Sequence, residues 1–149
     1  MLFRSLSNIG GEVHARTGVG DIRLSSVEGD VHAITSSGSI EGAGIAGTIT
    51  ARTGVGHVRL EQSAASDLEV ITSSGSVDVS GAHGALRIRT GVGDVSLRDA
   101  GDVEVETSSG SVRATGVHGA LRVRTGVGHI AVEGEPAGEW HLEIGRAHV

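Results

Sequence analysis

Cysteine, lysine and tyrosine are absent from this 149-residue chain, and proline, phenylalanine and tryptophan each occur once. Without cysteine the chain has neither disulfide bonds nor a thiolate zinc site. Because large aromatic side chains are nearly absent as well, valine, isoleucine, leucine and alanine must fill the interior. We therefore expect a thin, narrow core rather than a wide globular one.

Charge and hydropathy exclude two further classes of protein. The net charge is −6 and every basic residue is arginine, with neither a basic stripe nor aromatics on which bases could stack. No run of 18 apolar residues is present, so nothing in the sequence is long enough to span a membrane. We predict no nucleic-acid partner and no direct membrane insertion. The compartment, cell surface or cytoplasm, is left open.

The chain is organised by two short motifs that alternate. Arg-Thr-Gly-Val-Gly begins at residues 16, 52, 89 and 124, and Thr-Ser-Ser-Gly-Ser begins at residues 35, 72 and 107. The motif threonines therefore recur about every 18 residues, at positions 17, 35, 53, 72, 90, 107 and 125. A fixed period of this kind is typical of repeat architectures.

Around each threonine, apolar and polar residues alternate with a period of two, as in a half-buried strand. We therefore predict an all-β, single-domain parallel β-solenoid whose 18-residue coils each hold two strands and two turns. The strict alternation of the two motifs favours a 36-residue coil as the alternative. Four six-residue sides would, however, enclose a square about 20 Å wide. Valine and alanine cannot fill that space, so the shorter coil is preferred.

The alternation also predicts which side chains face the core. The predicted inward residues are Val13, Ala15, Thr17, Ile22, Leu24, Ile49, Ala51, Thr53, Val58, Leu60, Leu68, Val70, Thr72, Val77, Val79, Leu86, Ile88, Thr90, Val95, Leu97, Val103, Val105, Thr107, Val112, Leu121, Val123, Thr125, Ile130 and Val132. Two residues after each threonine, the same alternation predicts inward Val19, Val55, Val92 and Val127, alternating with Ser37, Ser74 and Ser109.

Both ends of the chain resemble encoded sequencing adapter. Residues 1–5 correspond to GTG CTC TTC CGA TCT, and residues 143–149 to GAG ATC GGA AGA GCA CAC GTC, which contains the reverse complement of the first string. We therefore assign the β-solenoid domain to residues 6–142 and expect it to be truncated at both ends. A nucleotide record with other codons at these ends would contradict this hypothesis. The stretch from Glu139 to Leu142 is predicted to begin a further strand.

Three patterns suggest ligand or catalytic chemistry, and each has a simpler structural interpretation. Gly42–Gly47 spells the dinucleotide pattern G-x-G-x-x-G but lies between strands, so we interpret it as a turn. Gly18–Asp21 is similar to a calcium-binding nonapeptide, although histidine replaces the aspartate in two of four copies. One column contains the serine, histidine and aspartate residues that a hydrolase triad uses: Asp21, Ser39, His57, Ser76, Asp94, Ser111 and His129. Because a triad also needs a pocket and an oxyanion hole, which a flat outer face does not supply, we interpret this column as a solvated polar ladder.

Two further sets of residues lie on turns or outward positions. His83 and His118 occupy matching turns, but two histidines without carboxylate or cysteine support make a poor metal site, and we interpret them as turn residues. An outward arginine series could bind an anionic polymer, although we expect nearby Asp and Glu to neutralise it: Arg16, Arg52, Arg89 and Arg124. We assign no catalytic, cofactor-binding or metal-binding residue.

The repeats resemble a known bacterial family. The stretches Val70–Val79 and Val123–Ile130 are similar to the units of a β-strand-repeat family that carries an adhesin label, which read roughly V-x-x-x-T-x-S-G-x-V/I-x-V. The resemblance covers most of residues 13–132 and implies a β-solenoid of unassigned molecular function, without catalytic residues to transfer.

From this we predict a structural or interaction module, not an enzyme, whose partner is an unknown protein or a cell-surface component. A polysaccharide-acting or polysaccharide-binding β-helix is the alternative, although such an enzyme needs a cleft with clustered carboxylates. A third hypothesis, an ice-binding array, would require outward-facing threonines, which the alternation places inward.

Overall fold

The computed structural model describes residues 4–61, 67–81, 84–134 and 139–145, and all regular secondary structure within them is β. Eight strands form a parallel sheet that we call the odd sheet: β1 (Arg4–Ile9), β3 (Ile22–Val27), β5 (Ile40–Ile45), β7 (Val58–Glu61), β9 (Val77–Ser80), β11 (Val95–Arg98), β13 (Val112–Thr115) and β15 (Ile130–Glu133). Eight more form the parallel even sheet: β2 (Val13–Val19), β4 (Val31–Ser37), β6 (Ile49–Val55), β8 (Asp67–Ser74), β10 (Ala85–Val92), β12 (Val103–Ser109), β14 (Leu121–Val127) and β16 (Trp140–Ile144).

Successive strands alternate between the two sheets, so each coil consists of one even strand, one odd strand and two turns. The register aligns each motif threonine with the threonine of the next coil, from Thr17 opposite Thr35 to Thr107 opposite Thr125. The predicted β-solenoid with 18-residue coils is therefore confirmed, and the 36-residue alternative is wrong.

The core lies between the two sheets and consists of aliphatic side chains. The predicted inward residues from Val13 to Thr125 are buried, apart from the valine and serine positions after each threonine. Ile130 and Val132 were also predicted inward and are only partly buried. They lie on β15, the edge strand of the odd sheet, which has a neighbouring strand on one side only.

The motif threonines form a buried ladder along the even sheet, each between 1% and 7% exposed. Their inward position excludes the ice-binding array, which would need them on the surface. Some hydroxyls donate hydrogen bonds across the adjacent turn: Thr53 Oγ1 donates to the carbonyl oxygen of Gly38 at 3.3 Å. The hydroxyls of Thr72 and Thr90 are buried without a hydrogen-bond partner. An unpaired buried hydroxyl destabilises the folded state.

We therefore expect Thr72→Val to raise the free energy of unfolding by about 1 kcal/mol, because valine keeps the shape and removes the unpaired hydroxyl. Thr53→Val is the matched control. It removes a hydroxyl that donates a hydrogen bond and should lower the same quantity by about 1 kcal/mol. Urea denaturation of both variants measures the two shifts. Equal destabilisation by both substitutions would contradict the argument.

The valines after each threonine were predicted inward, and this prediction is wrong. Val19, Val55, Val92 and Val127 are 69%, 58%, 57% and 56% exposed. The serines at the same position, Ser37, Ser74 and Ser109, are also outside the core. The inward alternation stops at the threonine because the chain turns there, and it resumes only five residues later, for example at Ile22.

The four residues after each motif threonine form a turn that we call the glycine corner. Examples are residues 18–21, 36–39 and 73–76. Its third residue is a glycine with φ between +136° and +150° in every coil from Gly20 to Gly128. A Cβ at Gly75 would overlap the carbonyl oxygen of Gly56 in the preceding coil. Only glycine permits both this backbone conformation and this close stacking.

The first residue of the glycine corner differs between the two motifs. It is glycine in one motif and serine in the other, and a Cβ on Gly54 would lie 2.6 Å from the carbonyl oxygen of Ser36. The same relation holds between Gly91 and Ser73 and between Gly126 and Ser108. The third residue of the corner therefore has a similar φ in successive coils, whereas the first residue alternates between glycine and serine.

The ends of the odd strands and the turns that follow them contribute further core residues, which are not among the predicted inward residues. Val27 is fully buried, and Ile45, Ala100 and Val117 at matching positions are 0–1% exposed. The residue before each has positive φ: Ser26, Gly44, Asp99 and Gly116 at 53–68°. One left-handed residue shifts the strand alternation and turns the next side chain inward.

The further strand predicted from Glu139 onward forms as β16, which pairs with β14, and its Trp140 packs against the core. His83 lies outside the described residues, as do parts of both predicted adapter-encoded ends. No helix in the described part of the chain is long and apolar enough to cross a membrane.

Candidate ligand-binding face

The alternation that buries one side of each strand exposes two parallel columns on the outer face of the even sheet. Adjacent residues in a column are about 4.8 Å apart because they lie on neighbouring strands. The first column contains His14, His32, Thr50, Glu69, Arg87, Glu104, Arg122 and His141. The second contains Arg16, Ile34, Arg52, Ile71, Arg89, Glu106, Arg124 and Glu143.

From β10 onward these columns combine arginines and glutamates, and three of the four arginines are paired with a glutamate, whereas Arg122 forms no ion pair within the described residues. A shallow groove of about 660 Å³ runs along the start of strands β6 to β16 of the even sheet. Its lining residues include Glu69, Arg87 and Glu104. Three ion pairs join neighbouring strands: Arg87 with Glu104 at 3.6 Å, Arg89 with Glu106 at 3.2 Å and Arg124 with Glu143 at 3.0 Å. Exposed ion pairs of this kind contribute roughly 0–1 kcal/mol each to stability.

From β2 to β6 the same columns have a different character, and we call this region the arginine–isoleucine patch: His14, Arg16, His32, Ile34 and Arg52. Arg16 and Arg52 are exposed and form no ion pair with any residue in the described part of the chain. Half-buried Ile34 lies between them in the register. The imidazole rings of His14 and His32 lie 5.2 Å apart at an interplanar angle of 36°.

The expectation that acidic neighbours neutralise the arginine series is therefore confirmed for Arg89 and wrong for Arg16 and Arg52. It is also confirmed for Arg124, whose partner Glu143 lies in the predicted adapter-encoded end. The difference comes from the adjacent strand. Glu106 lies beside Arg89 in the register, whereas Ile34 lies beside both Arg16 and Arg52. The sequence contained this signal, since the residue before the threonine of the Thr-Ser-Ser-Gly-Ser motif is Ile in two coils and Glu in the third.

The column of aspartate, serine and histidine lies at the glycine corner, where its aspartates support the turns. Asp21 Oδ1 accepts a hydrogen bond from the backbone N–H of Ser39 at 2.9 Å, and Asp94 Oδ1 accepts one from Ser111 N–H at 3.3 Å. Each aspartate therefore caps the corner of the next coil. In the described residues no hydrogen bond joins a serine hydroxyl of this column to a histidine.

The glycine-rich stretch 42–47 combines the end of a strand with a turn. Gly42 lies inside β5, where a Cβ would come within 2.8 Å of Leu60 Cδ2, so its missing side chain makes room for the core. Gly44 has a φ of +65°, and a Cβ on Gly47 would overlap the carbonyl oxygen of Gly29. The dinucleotide interpretation requires a helix after the glycines, and strand β6 follows instead.

His118 lies on a turn, as predicted, and its Nε2 is 3.1 Å from Asp99 Oδ1 in the preceding coil. Asp99 is one of the residues with positive φ, so this contact stabilises the turn. The described residues hold no group of three His, Asp or Glu side chains arranged to bind a metal ion.

Two stacked parallel sheets with short turns, a thin aliphatic core and open polar outer faces define a β-solenoid repeat domain. The chain belongs to the Toastrack DUF4097 family, whose model matches residues 7–125. This is a domain of unknown function, and its solenoid fold is consistent with a non-catalytic module. The family match supports the resemblance drawn from the repeats, and its description contains no adhesin label. Comparisons with curated proteins and with solved structures gave no match.

Proposed function

We propose that the chain is a non-catalytic interaction module that binds an extended partner along the outer face of the even sheet, as an adhesin-like domain at a cell surface does. The observation that carries this proposal is the continuous pair of outward columns, in register across eight strands. Repeat proteins use such extended surfaces for binding.

The arrangement of polar groups supports a binding role over a catalytic one. A glycoside hydrolase needs two carboxyl groups facing each other across a bound sugar. Here three of the four glutamates in the outward columns are paired with arginines: Glu104 with Arg87, Glu106 with Arg89 and Glu143 with Arg124. Asp21 and Asp94 are engaged by backbone N–H groups.

Polysaccharide binding without hydrolysis is the second candidate. It is favoured by the even spacing of the rows, because a linear glycan lying along the solenoid axis would place successive sugars over successive strands about 4.8 Å apart.

The test compares the two sheets as binding faces. Beads coated with the wild-type chain are offered immobilised bacterial surface material, and retention is measured under flow. A variant with Arg16, Arg52, Arg89 and Arg124 replaced by serine should lose retention. A variant with Arg59 and Arg113 of the odd sheet replaced by serine should keep it. Retention that depends on neither sheet, or release of reducing sugar ends from the bound material, would contradict the proposed function.

A further inference from the structure

We infer that the arginine–isoleucine patch binds an acidic glycan that carries one carboxylate on every second sugar. This inference rests on the proposed function and specifies the ligand class and the part of the even sheet that recognises it. The patch differs from the rest of its column in charge, because its two arginines form no ion pair within the described residues.

The first step concerns charge. Arg16 and Arg52 are exposed and have no acidic partner within the described residues, whereas Arg89 and Arg124 pair with glutamates. An arginine already paired with a carboxylate must break that contact to bind another anion. An unpaired guanidinium can bind a carboxylate directly, through two parallel N–H donors. Among the described residues of this column, only Arg16 and Arg52 therefore offer free cationic sites.

The second step concerns spacing. Arg16 and Arg52 lie on strands two apart, so their side chains emerge about 10 Å from one another along the solenoid axis. Ile34 fills the row between them. A glycan in which acidic and uncharged sugars alternate has the same pattern. Its carboxylates would meet the two arginines, and the apolar face of the intervening sugar would lie on Ile34.

The third step distinguishes this ligand from other polyanions. Proteins that bind single-stranded nucleic acid combine basic grooves with aromatic side chains on which bases stack. The patch has only the His14 and His32 rings, which face each other at 5.2 Å. Binding to an anionic membrane surface would favour a denser cluster of basic residues than two arginines separated by an isoleucine.

The experiment measures binding of the full chain to an octasaccharide of alternating hexosamine and glucuronate. Wild type should bind, and the methyl ester of the same octasaccharide should not. The double variant Arg16→Gln/Arg52→Gln should weaken binding by about tenfold, the loss of two exposed charge contacts. Arg89→Gln/Arg124→Gln removes the same charge from the same column and should change binding by less than about twofold.

Thermal unfolding of each variant shows whether the fold is kept. Arg16→Lys/Arg52→Lys provides a second measure, since lysine keeps the charge and loses the paired N–H donors, and binding should fall to an intermediate level. Equal losses in the two glutamine variants would overturn the inference, as would tighter binding to polyphosphate, to a thymidine oligonucleotide or to phosphatidylserine vesicles. If no octasaccharide binds while the serine variant of the even sheet still abolishes retention on beads, the ligand class is wrong and the proposed function stands.

Discussion

Replacing Gly75 with alanine is expected to lower the free energy of unfolding by about 4 kcal/mol. Two effects contribute. Gly75 has a φ of +144°, a conformation that costs other residues about 1–3 kcal/mol. A methyl group there would also overlap the carbonyl oxygen of Gly56, which is backbone and can move only if the whole coil moves. Chemical denaturation followed by circular dichroism measures the loss.

Two glycines at the first position of other glycine corners serve as graded controls. Gly54 lacks the positive φ, but its Cβ would lie 2.6 Å from the carbonyl oxygen of Ser36, so Gly54→Ala should destabilise by about 1–3 kcal/mol. Gly18 has no neighbouring atom within 4 Å of its ideal Cβ position, and Gly18→Ala should be close to neutral. If all three substitutions cost the same, the stacking of the corners is not what requires glycine.

The alternation of glycine and serine corners leads to a second expected result: deletion of one coil should lower the melting temperature more than deletion of two coils. Removal of residues 86–102 places Ser108 on Ser73 in the position of Gly91, where a Cβ would lie 2.6 Å from the carbonyl oxygen of Ser73. Removal of residues 68–102 instead places Ser108 above Gly54 and keeps the alternation. If coils contributed only through nearest-neighbour contacts of equal strength, the longer protein would be the more stable. We expect the opposite order in melting temperature.

A single substitution separates this effect from other consequences of shortening. In the one-coil deletion, Ser108→Gly removes the crowded Cβ and should restore about 2 kcal/mol of stability. In the full-length chain Ser108 lies above Gly91, where the native structure accommodates its side chain, so the same substitution should give no gain. A gain of equal size in both backgrounds would show that the corners do not need to alternate.

Strand positions and most of the core were predictable from the sequence because a buried sheet face imposes a period of two. Val70 and Ile88 follow that rule and are fully buried. Val19 does not. Ile22 lies five positions after Thr17, so the alternation must shift between them, but the sequence does not show where. The structure places the shift immediately after the threonine, and this leaves Val19 exposed.

The buried residues at the turns show a second limit of prediction from the sequence. Gly44 and Gly116 precede Ile45 and Val117, and a glycine at that position indicates that positive φ is available. Ser26 and Asp99 adopt the same conformation without any such signal. Alignment of the four turns would have shown that Val27 and Ala100 correspond to Ile45 and Val117, because a residue type that is ambiguous in one coil is informative in another.

The sequence predicted which residues lie on the outer face but not which of them form ion pairs with one another. Whether an arginine is neutralised depends on a residue one coil away, and that neighbour is identified only when the coil length is known. Once the shorter coil is established, Ile34 is found beside Arg16 and Glu106 beside Arg89, and the two halves of the face differ.

The strict division between inward and outward residues has a consequence for how such domains diversify. The buried aliphatic and threonine side chains of the core are separate from the two outward columns, so a substitution in a column changes the surface with little effect on folding. Each coil contributes one row of two side chains at a fixed height along the axis. A new specificity can therefore arise by changing individual rows, or by exchanging pairs of coils, while the scaffold stays the same.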